Sequence, residues 1–560
     1  MITGSTNSLR TQRHSLLALL AIVCILFGAA SCASGRAESI DPTKAVTQLA
    51  PLPRRAQTPT AGVYYCIFVR SFADSNGDGI GDFKGMTARL DYLNDGNDRT
   101  TSDLGVTGIW LLPIFPSQSY HGYNVDDYYG VNPDYGTLAD FEEFLSEAEK
   151  RGISVIIDMT CNHSSLYTDW FIESRNKDSP YRGWYRWVED GDTRYNLNQK
   201  IWGHNLWNYY EGAYYAGLFE SGMPDFNLSN PAVREEFKNI ASYWIGKGVD
   251  GFRFDAAGHV FNAAKLAAGE ESQSQGVAFW KELVGHVRSV KPDAYTVGEV
   301  WEPTSTRAVY MQGLGSTFHF DLGTKIVDAI REGSGGKNNI ANSLYGDYTT
   351  YKEMNPDYID APFLTNHDQN RISGMLRGDS RLLKLSASLY ILAEGVPFMY
   401  YGEEIGLMGA KPDEQIRTPM LWNDPGKDRL QTSWIESKYN KNTIPVSRQQ
   451  KDPESLLNYY KRLIRVKTAH SALFEGRFTA VATDASEIVS WKMESQKEKA
   501  FVLHNLSPEP VTLVLPPEAL GADGAPMPLI FAGSSGVMIT GTSITLPPRE
   551  SAVLAAASAQ

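Results

Sequence analysis

The sequence Gly-Phe-Arg-Phe-Asp at residues 251–255 is a short, largely apolar run that ends in a carboxylate. Similar runs recur along the chain and alternate with stretches that have the apolar periodicity of amphipathic helices. Repeated strand–helix units predict a parallel α/β fold, and about eight units favour a closed (β/α)₈ TIM barrel over an open sheet. The strand-like runs are Val63–Val69, Gly108–Pro113, Ser154–Met159, Gly251–Asp255, Ala294–Glu299, Ala361–Thr365 and Pro397–Tyr401.

Two regions depart from this alternation of strands and helices. Residues 164–229, after the third strand of the predicted barrel, lack a clear strand–helix unit and are rich in Trp and Tyr. An insertion after a barrel strand lies on the catalytic face, so we expect a subdomain that forms one wall of a cleft. The alternative is that its rings only pack the subdomain's own core. Residues 469–560 contain short strands joined by polar turns and predict a C-terminal β-sandwich, which leaves residues 61–468 for the barrel.

The N-terminus has the pattern of an export signal. Basic residues precede an apolar run from Leu16 to Ala30 that is short for a membrane span. It ends in Ala-Ala-Ser before Cys32, which resembles a bacterial lipobox. We therefore predict a signal peptide at residues 1–31, lipidation of Cys32 and a flexible tether at residues 32–60. The protein would be exported and held at the bacterial envelope by its lipid, although ordinary signal cleavage is the alternative.

The charge and the cysteine content narrow the possible functions. The formal net charge of −13 argues against a nucleic-acid partner and suits a neutral substrate such as a sugar. Beyond the signal peptide and Cys32, only Cys66 and Cys161 remain. Both lie in apolar contexts and are expected to be buried free thiols, with a disulfide as the alternative.

Acidic residues follow several of the predicted strands. Asp158 follows Val-Ile-Ile, Asp255 follows Phe-Arg-Phe, Glu299 follows Thr-Val-Gly, and Asp368 follows Leu-Thr-Asn-His. Side chains at the carboxyl ends of barrel strands converge on one face. A single acidic residue there is often a helix cap, but capping explains four of them poorly. Arg253, two residues before Asp255, is placed to keep that carboxylate ionised, and paired carboxylates in a cleft indicate glycoside hydrolysis.

The segments around these acids resemble the α-amylase superfamily, glycoside hydrolase family 13. They are Asp158-Met-Thr-Cys-Asn-His163, Gly251-Phe-Arg-Phe-Asp255, Gly298-Glu-Val-Trp301 and Asn366-His-Asp368. The resemblance implies a retaining mechanism with Asp255 as nucleophile, Glu299 as acid/base and Asp368 binding the hydroxyls of the sugar at subsite −1. Asp158 would support the site. The resemblance implies further contacts with that sugar from Tyr123, His163, Arg253 and His367.

A second motif predicts a calcium site. Oxygen-bearing side chains alternate along Asp74, Asn76 and Asp78, followed by Gly79, the carbonyl of Ile80 and Asp82. This pattern fits the start of a structural Ca²⁺ loop, although Gly85 at the twelfth position rules out an EF-hand. It resembles the metal loop after the first barrel strand in family members close to oligo-1,6-glucosidases. The alternative is a polar turn.

Other residues bear on the substrate. Met223-Pro-Asp-Phe-Asn227 resembles members intermediate between oligo-1,6-glucosidases and neopullulanases, which are often α-amylases. Exo-acting α-glucosidases carry an acid where this chain has Tyr120. We therefore expect an α-amylase that cleaves α-1,4-glucosidic bonds of starch or maltodextrins. The alternatives are a cyclomaltodextrinase or neopullulanase, an α-glucosidase, a transglycosylase or, remotely, a non-catalytic glucan-binding protein.

Overall fold

The computed structural model describes residues 39–42, 51–54, 56, 58–262, 272–334 and 339–558. The predicted signal peptide, Cys32 and much of the predicted tether lie outside the described residues. Within the tether, Ile40 donates a backbone hydrogen bond to Leu529 and Ala56 donates one to Thr468, so the chain packs against the folded part at these points. None of the described helices is long and apolar enough to cross a membrane.

The strands form one parallel sheet and several smaller antiparallel ones. In chain order they are β1 Tyr64–Ile67, β2 Gly108–Leu111, β3 Ser154–Thr160, β4 Trp187–Glu189, β5 Lys200–Ile201, β6 His204–Asn205, β7 Trp207–Tyr210, β8 Ala213–Ala216, β9 Gly251–Asp255, β10 Tyr295–Gly298, β11 Ser316–Phe318, β12 Ile359–Ala361, β13 Phe398–Tyr400, β14 Arg477–Ala480, β15 Ile488–Glu494, β16 Glu498–Asn505, β17 Val511–Val514, β18 Leu529–Ala532, β19 Met538–Thr540, β20 Ser543–Leu546 and β21 Ser551–Ala557.

The parallel sheet is an eight-stranded barrel, as predicted. Its strand order is β12-β11-β10-β9-β3-β2-β1-β13. The backbone N–H of Phe398 in β13 donates to the carbonyl of Pro362, just after β12, at 2.9 Å, which links the two edges of the sheet. Large aromatic rings fill the interior: the ring centroids of Trp110 and Phe318 lie 5.2 Å apart, and those of Phe318 and Phe398 lie 5.0 Å apart. The interior of the barrel is therefore a packed core.

Helices follow most of the barrel strands, and capping residues in the sequence fix where several of these helices begin. Thr137 and Asp140 form a reciprocal capping box, and Asn230 caps a helix that has Pro231 in its first turn. The helices are Val69–Phe72, Phe83–Thr87, Leu90–Leu93, Leu138–Lys150, Asp169–Ser174, Pro231–Gly246, Gln273–Val290, Thr304–Leu314, Leu322–Glu332, Ile340–Met354, Ile372–Met375, Ser380–Ile391, Asp413–Ile416, Val446–Gln449, Leu456–Ala469 and Ser471–Phe474, with 3₁₀ turns at Pro133–Tyr135, Arg182–Trp184, Glu403–Ile405 and Pro517–Ala519.

The insertion after β3 forms a small sheet of order β4-β8-β7 and a β5–β6 hairpin. Trp207 and Tyr215 are buried there, so part of the aromatic content of this region packs its own core. Trp202 and Tyr209 are each 61% exposed, so other rings are presented to solvent. Packing of the subdomain's own core thus accounts for some of these aromatics, and the cleft wall stays a prediction for the exposed ones.

The C-terminal part consists of antiparallel sheets. One has the order β14-β15-β16-β21-β18 and the other the order β17-β20-β19. Apolar side chains of both sheets, including Phe501, Leu513 and Leu554, form a common core, which confirms the predicted C-terminal β-domain. Cys66 in β1 and Cys161 after β3 are buried free thiols.

Two barrel strands differ from the sequence expectation. The sequence reading missed β11, which has only three residues and follows Gly315. The run at residues 361–365 was expected to be a strand, but β12 is Ile359–Ala361 and ends where that run begins. Residues 362–368 therefore form a loop above the barrel, which carries Asp368.

Candidate active site

Three neighbouring strands bring the acidic residues to one rim of the barrel. β3 pairs with β9 so that Asp158 lies opposite Arg253, and β10 pairs with β9 so that Gly298 lies opposite Phe254. Glu299 directly follows β10, and its backbone N–H donates to the carbonyl of Phe254 at 3.0 Å. Because these strands are parallel, their carboxyl ends share one rim.

The guanidinium of Arg253 connects three carboxylates. Its Nη1 lies 2.8 Å from Oδ1 of Asp158 and 2.7 Å from Oδ1 of Asp255, and its Nη2 lies 2.9 Å from Oε2 of Glu299. The Arg253 side chain is buried, and its guanidinium carbon lies 5.1 Å from the centroid of the Trp110 ring. A fixed positive charge is what allows three carboxyl groups to lie this close together.

Burial shifts the pKa values of these acids upward. Burial, opposed by Arg253, raises the pKa of Asp158 to about 6 and that of Asp255 to about 6. Burial also raises the pKa of Glu299, with repulsion from Asp255 and Asp368 adding to the effect. At neutral pH both aspartates are therefore largely ionised, whereas Glu299 keeps its proton more readily than an exposed glutamate does.

A second set of contacts brings Asp368 into the same site. The Tyr123 hydroxyl donates to Oδ2 of Asp158 at 3.1 Å and lies 2.7 Å from Nε2 of His367. The same His367 nitrogen lies 3.0 Å from Oδ2 of Asp368, and Nη2 of Arg417 lies 3.0 Å from Oδ1 of Asp368. Although burial opposes them, His367 and Arg417 hold the pKa of Asp368 well below its usual value, so this carboxylate is ionised.

His163 borders this network on the side of the inserted subdomain. Its ring centroid lies 5.2 Å from that of Phe219 in the inserted subdomain. Burial, opposed by the backbone of Tyr123, lowers the pKa of His163 to about 3, so the ring is neutral. The structure thus brings all the residues proposed for chemistry and sugar binding to one place: Tyr123, His163, Arg253, Asp255, Glu299, His367 and Asp368, with Asp158 beneath them.

Sequence reasoning missed two residues of this site. Arg417 contacts Asp368, and its Nε also donates to the backbone carbonyl of His367 at 3.0 Å. Trp434 stacks on Tyr120, with ring centroids 5.6 Å apart and planes 26° apart. Both residues come from the irregular segment after β13, where no local pattern marks them as functional.

Comparison with known proteins agrees with this geometry. Residues 66–476 match the family described as "Alpha amylase, catalytic domain". The chain belongs to the α-amylase family. Residues 488–553 match a second family, the C-terminal domain of the α-amylase SusG. The fold and the glycoside hydrolase class expected from the sequence are therefore confirmed.

Relatives within the α-amylase family carry more than one name. Alpha-amylase 3 of Dictyoglomus thermophilum is 41% identical over 448 residues, covering 80% of this chain and 84% of that protein. An oligo-1,6-glucosidase of Parageobacillus thermoglucosidasius is 31% identical, covering 81% and 91%. Among solved structures, an α-amylase from H. orenii has 39% identity and a TM-score of 0.80, covering 89% of this chain and 99% of that one.

In the predicted metal loop, side-chain oxygens accept hydrogen bonds from backbone N–H groups of the same loop. Oδ2 of Asp74 accepts from the backbone N–H of Gly79 at 2.8 Å, Oδ1 of Asn76 accepts from Asp78 at 2.9 Å, and Oδ1 of Asp78 accepts from Ile80 at 2.7 Å. Oδ2 of Asp82 accepts from the backbone of Ser75 at 2.7 Å. The loop offers only oxygen atoms as ligands, and these are the ligands that Ca²⁺ prefers. Calcium binding at this loop remains a prediction.

A different acidic cluster has the spacing of a metal site but is already neutralised. His319, Asp321 and Asp347 are the only described residues that place three such ligand atoms within 4.8 Å of one another. Lys325 contacts both aspartates, at 2.7 and 2.9 Å. Although burial opposes it, the flanking carboxylates raise the pKa of His319 to about 9. Protonated His319 and Lys325 therefore supply the positive charge that a metal would bring, and we assign this cluster to structure.

Proposed function

We propose that this protein is an α-amylase that hydrolyses internal α-1,4-glucosidic bonds of starch or maltodextrins with retention of configuration. The observation that carries the proposal is the sharing of one guanidinium: Arg253 holds Asp255 through Nη1 and Glu299 through Nη2. Two carboxyl groups held this way can act on the same sugar ring. Burial raises the pKa of both groups. With a pKa of about 6, Asp255 is largely ionised at neutral pH, as a nucleophile must be, and the raised pKa of Glu299 favours the protonated form that an acid needs.

In the first step, the Asp255 carboxylate attacks the anomeric carbon and Glu299 gives its proton to the glycosidic oxygen. The bond to the leaving sugar breaks, and a glycosyl ester of Asp255 forms. In the second step, Glu299 takes a proton from water as the water attacks the same carbon, and the Asp255 carboxylate leaves. Two inversions return the α-configuration. The ionised Asp368 stabilises the positive charge that develops on the ring.

The surrounding side chains suit the sugar that undergoes reaction. Tyr123 and His367 present nearly parallel rings, 12° apart, beside Asp368. The neutral His163 offers a hydrogen-bonding group to sugar hydroxyls. The hydroxyl of Tyr123 is held by Asp158 and His367, so Tyr123 offers its ring as the stacking platform beneath this sugar. Arg417 fixes Asp368 and His367 together. We assign Tyr123, His163, Arg253, His367 and Asp368 to the subsite that holds this sugar, in accord with the sequence prediction.

An exo-acting α-glucosidase or a transglycosylase is the second candidate, because relatives include proteins named oligo-1,6-glucosidase and 4-alpha-glucanotransferase. Tyr120 argues against a pocket that grips a terminal glucose. Its ring stacks on Trp434 beside Arg417, and this position carries no acidic side chain that could bind terminal hydroxyls.

Product analysis decides between these activities. We expect short maltooligosaccharides from soluble starch and maltoheptaose at early times, released as α-anomers by NMR. Early glucose alone would favour the exo-acting enzyme, longer products would favour a transglycosylase, and preference for cyclodextrin would favour a cyclomaltodextrinase. Asp255→Asn and Glu299→Gln should abolish turnover, whereas unchanged rates would exclude these roles.

Two further properties complete the proposal. We propose that Ca²⁺ binds at the loop of Asp74, Asn76, Asp78, Ile80 and Asp82, where its charge would stabilise the turn before the helix Phe83–Thr87. We also propose export with a lipid on Cys32, supported by the lipobox-like sequence alone. Loss of membrane association in Cys32→Ser cells would support the anchor, and retention of the variant in the membrane fraction would exclude it.

A further inference from the structure

One exposed tryptophan of the inserted subdomain lies close to the acid/base. Trp202 occupies the tip of the β5–β6 hairpin and is 61% exposed. Its ring centroid lies 5.5 Å from that of His259 in a T-shaped arrangement and 5.5 Å from that of Phe219. Large exposed aromatic rings at a cleft commonly mark a binding surface.

The neighbours of Trp202 place it relative to the chemistry. Phe219 contacts the His163 ring, which borders the subsite of the reacting sugar. His259 interacts electrostatically with Glu299, and the backbone N–H of the preceding Gly258 donates to the Glu299 carbonyl at 3.0 Å. The indole therefore lies on the side of the acid/base, which faces the leaving group in the proposed mechanism.

The backbone at Trp202 adopts a conformation that does not favour a tryptophan. Its φ is 48° and that of Gly203 is 94°, which are the signs expected for the two central residues of a type I′ hairpin turn. Asn or Gly is preferred at the first position, and a bulky side chain there costs stability because its Cβ lies too close to the following carbonyl oxygen. Because much of the ring is exposed, packing offsets only part of this cost, and a conformational outlier at the rim of a site points to function.

We propose that Trp202 is a stacking platform for the glucose units on the leaving-group side of the scissile bond, and that it sets the enzyme's preference for chains that extend across the site. This inference rests on the proposed α-glucan hydrolysis. The apolar face of a glucose ring can cover the exposed part of the indole, while contacts with His259 and Phe219 hold the indole in place.

The test compares a substrate that needs the platform with one that does not. Maltoheptaose places glucose units on the leaving-group side, whereas α-maltosyl fluoride loses only fluoride. We expect Trp202→Asn, which suits the turn, to lower kcat/KM for maltoheptaose relative to α-maltosyl fluoride by about tenfold. This is the value for about 55 Å² of apolar surface covered by the sugar at about 25 cal/mol per Å². The melting temperature should stay equal or rise.

Tyr209→Asn serves as the control, because Tyr209 is equally exposed on the same subdomain and packs against Tyr214 in the sheet. It should leave the ratio of the two kcat/KM values unchanged. An unchanged ratio in Trp202→Asn, or a melting temperature several degrees lower, would overturn the platform alone. A wild-type enzyme inactive on both substrates would instead overturn the proposed function.

Discussion

Removal of Arg253 tests the electrostatic organisation of the site. In Arg253→Gln, Asp158, Asp255 and Glu299 lose contacts of 2.8, 2.7 and 2.9 Å to a buried guanidinium. Breaking a buried pair costs about 3–5 kcal/mol, and a pKa unit is worth about 1.36 kcal/mol. If the lost interaction energy is divided equally among the three carboxyl groups, each pKa rises by about one unit. The pKa of Asp255 then moves from about 6 to about 7.

The sign of the pH dependence follows from these shifts. The folded-state pKa values of Asp158 and Asp255 lie above that of an unfolded aspartate, so folding favours their protonated forms. Their favourable contribution to stability is complete below the unfolded value of about 3.9 and is lost as pH rises through the folded value. Arg253→Gln should therefore lose more thermal stability at pH 7.5 than at pH 5.

Thermal melts at the two pH values measure this difference directly. Arg194→Gln is the control, because it breaks an exposed pair with Asp192 and should change the melting temperature little at either pH. Protonation of Asp255 alone should lower the activity of Arg253→Gln at pH 7 by about twofold, because a pKa of about 7 leaves about half of this carboxyl group ionised. An equal loss of stability at both pH values would refute the reasoning.

Further predictions concern pH and calcium. For the wild type, kcat/KM on maltoheptaose should fall below about pH 6 as Asp255 takes up a proton, and should fall on the alkaline side as Glu299 loses its proton; a rate that stays flat down to pH 4 would contradict the assignment of Asp255. Removal of Ca²⁺ by a chelator should lower the melting temperature of the wild type, and Asp74→Ala should lower it similarly and abolish the response to chelator. A chelator effect that persists in Asp74→Ala would place the ion elsewhere.

The strands that bring acidic residues to the site could be predicted, because an apolar run of the sequence precedes each of these acids. Asp158, Asp255 and Glu299 all follow such runs, and barrel topology places their side chains on one rim. Asp368 was identified from its motif, although the run before it was wrongly expected to be a strand. The three-residue strand β11 was missed because it is too short to show a periodicity.

The partners of these acids could not be read from the sequence in the same way. Arg417 and Trp434 belong to a long irregular segment, and their contacts with Asp368 and Tyr120 span large separations along the chain. In the sequence, Trp202 is one of many Trp and Tyr residues of the insertion and nothing sets it apart. Its exposure, its positive φ and its distance to His259 are properties of the folded chain and not of any local pattern.

The identity of the nucleophile is the central claim, and trapping the glycosyl ester tests it most directly. In Glu299→Gln, α-maltosyl fluoride should still form the ester, because fluoride needs little protonation to leave, while hydrolysis of the ester lacks its base. Intact-protein and peptide mass spectrometry should then find one maltosyl group on the peptide that contains Asp255, and none in Asp255→Asn/Glu299→Gln. A maltosyl group on any other residue, or its persistence in the double variant, would contradict the account.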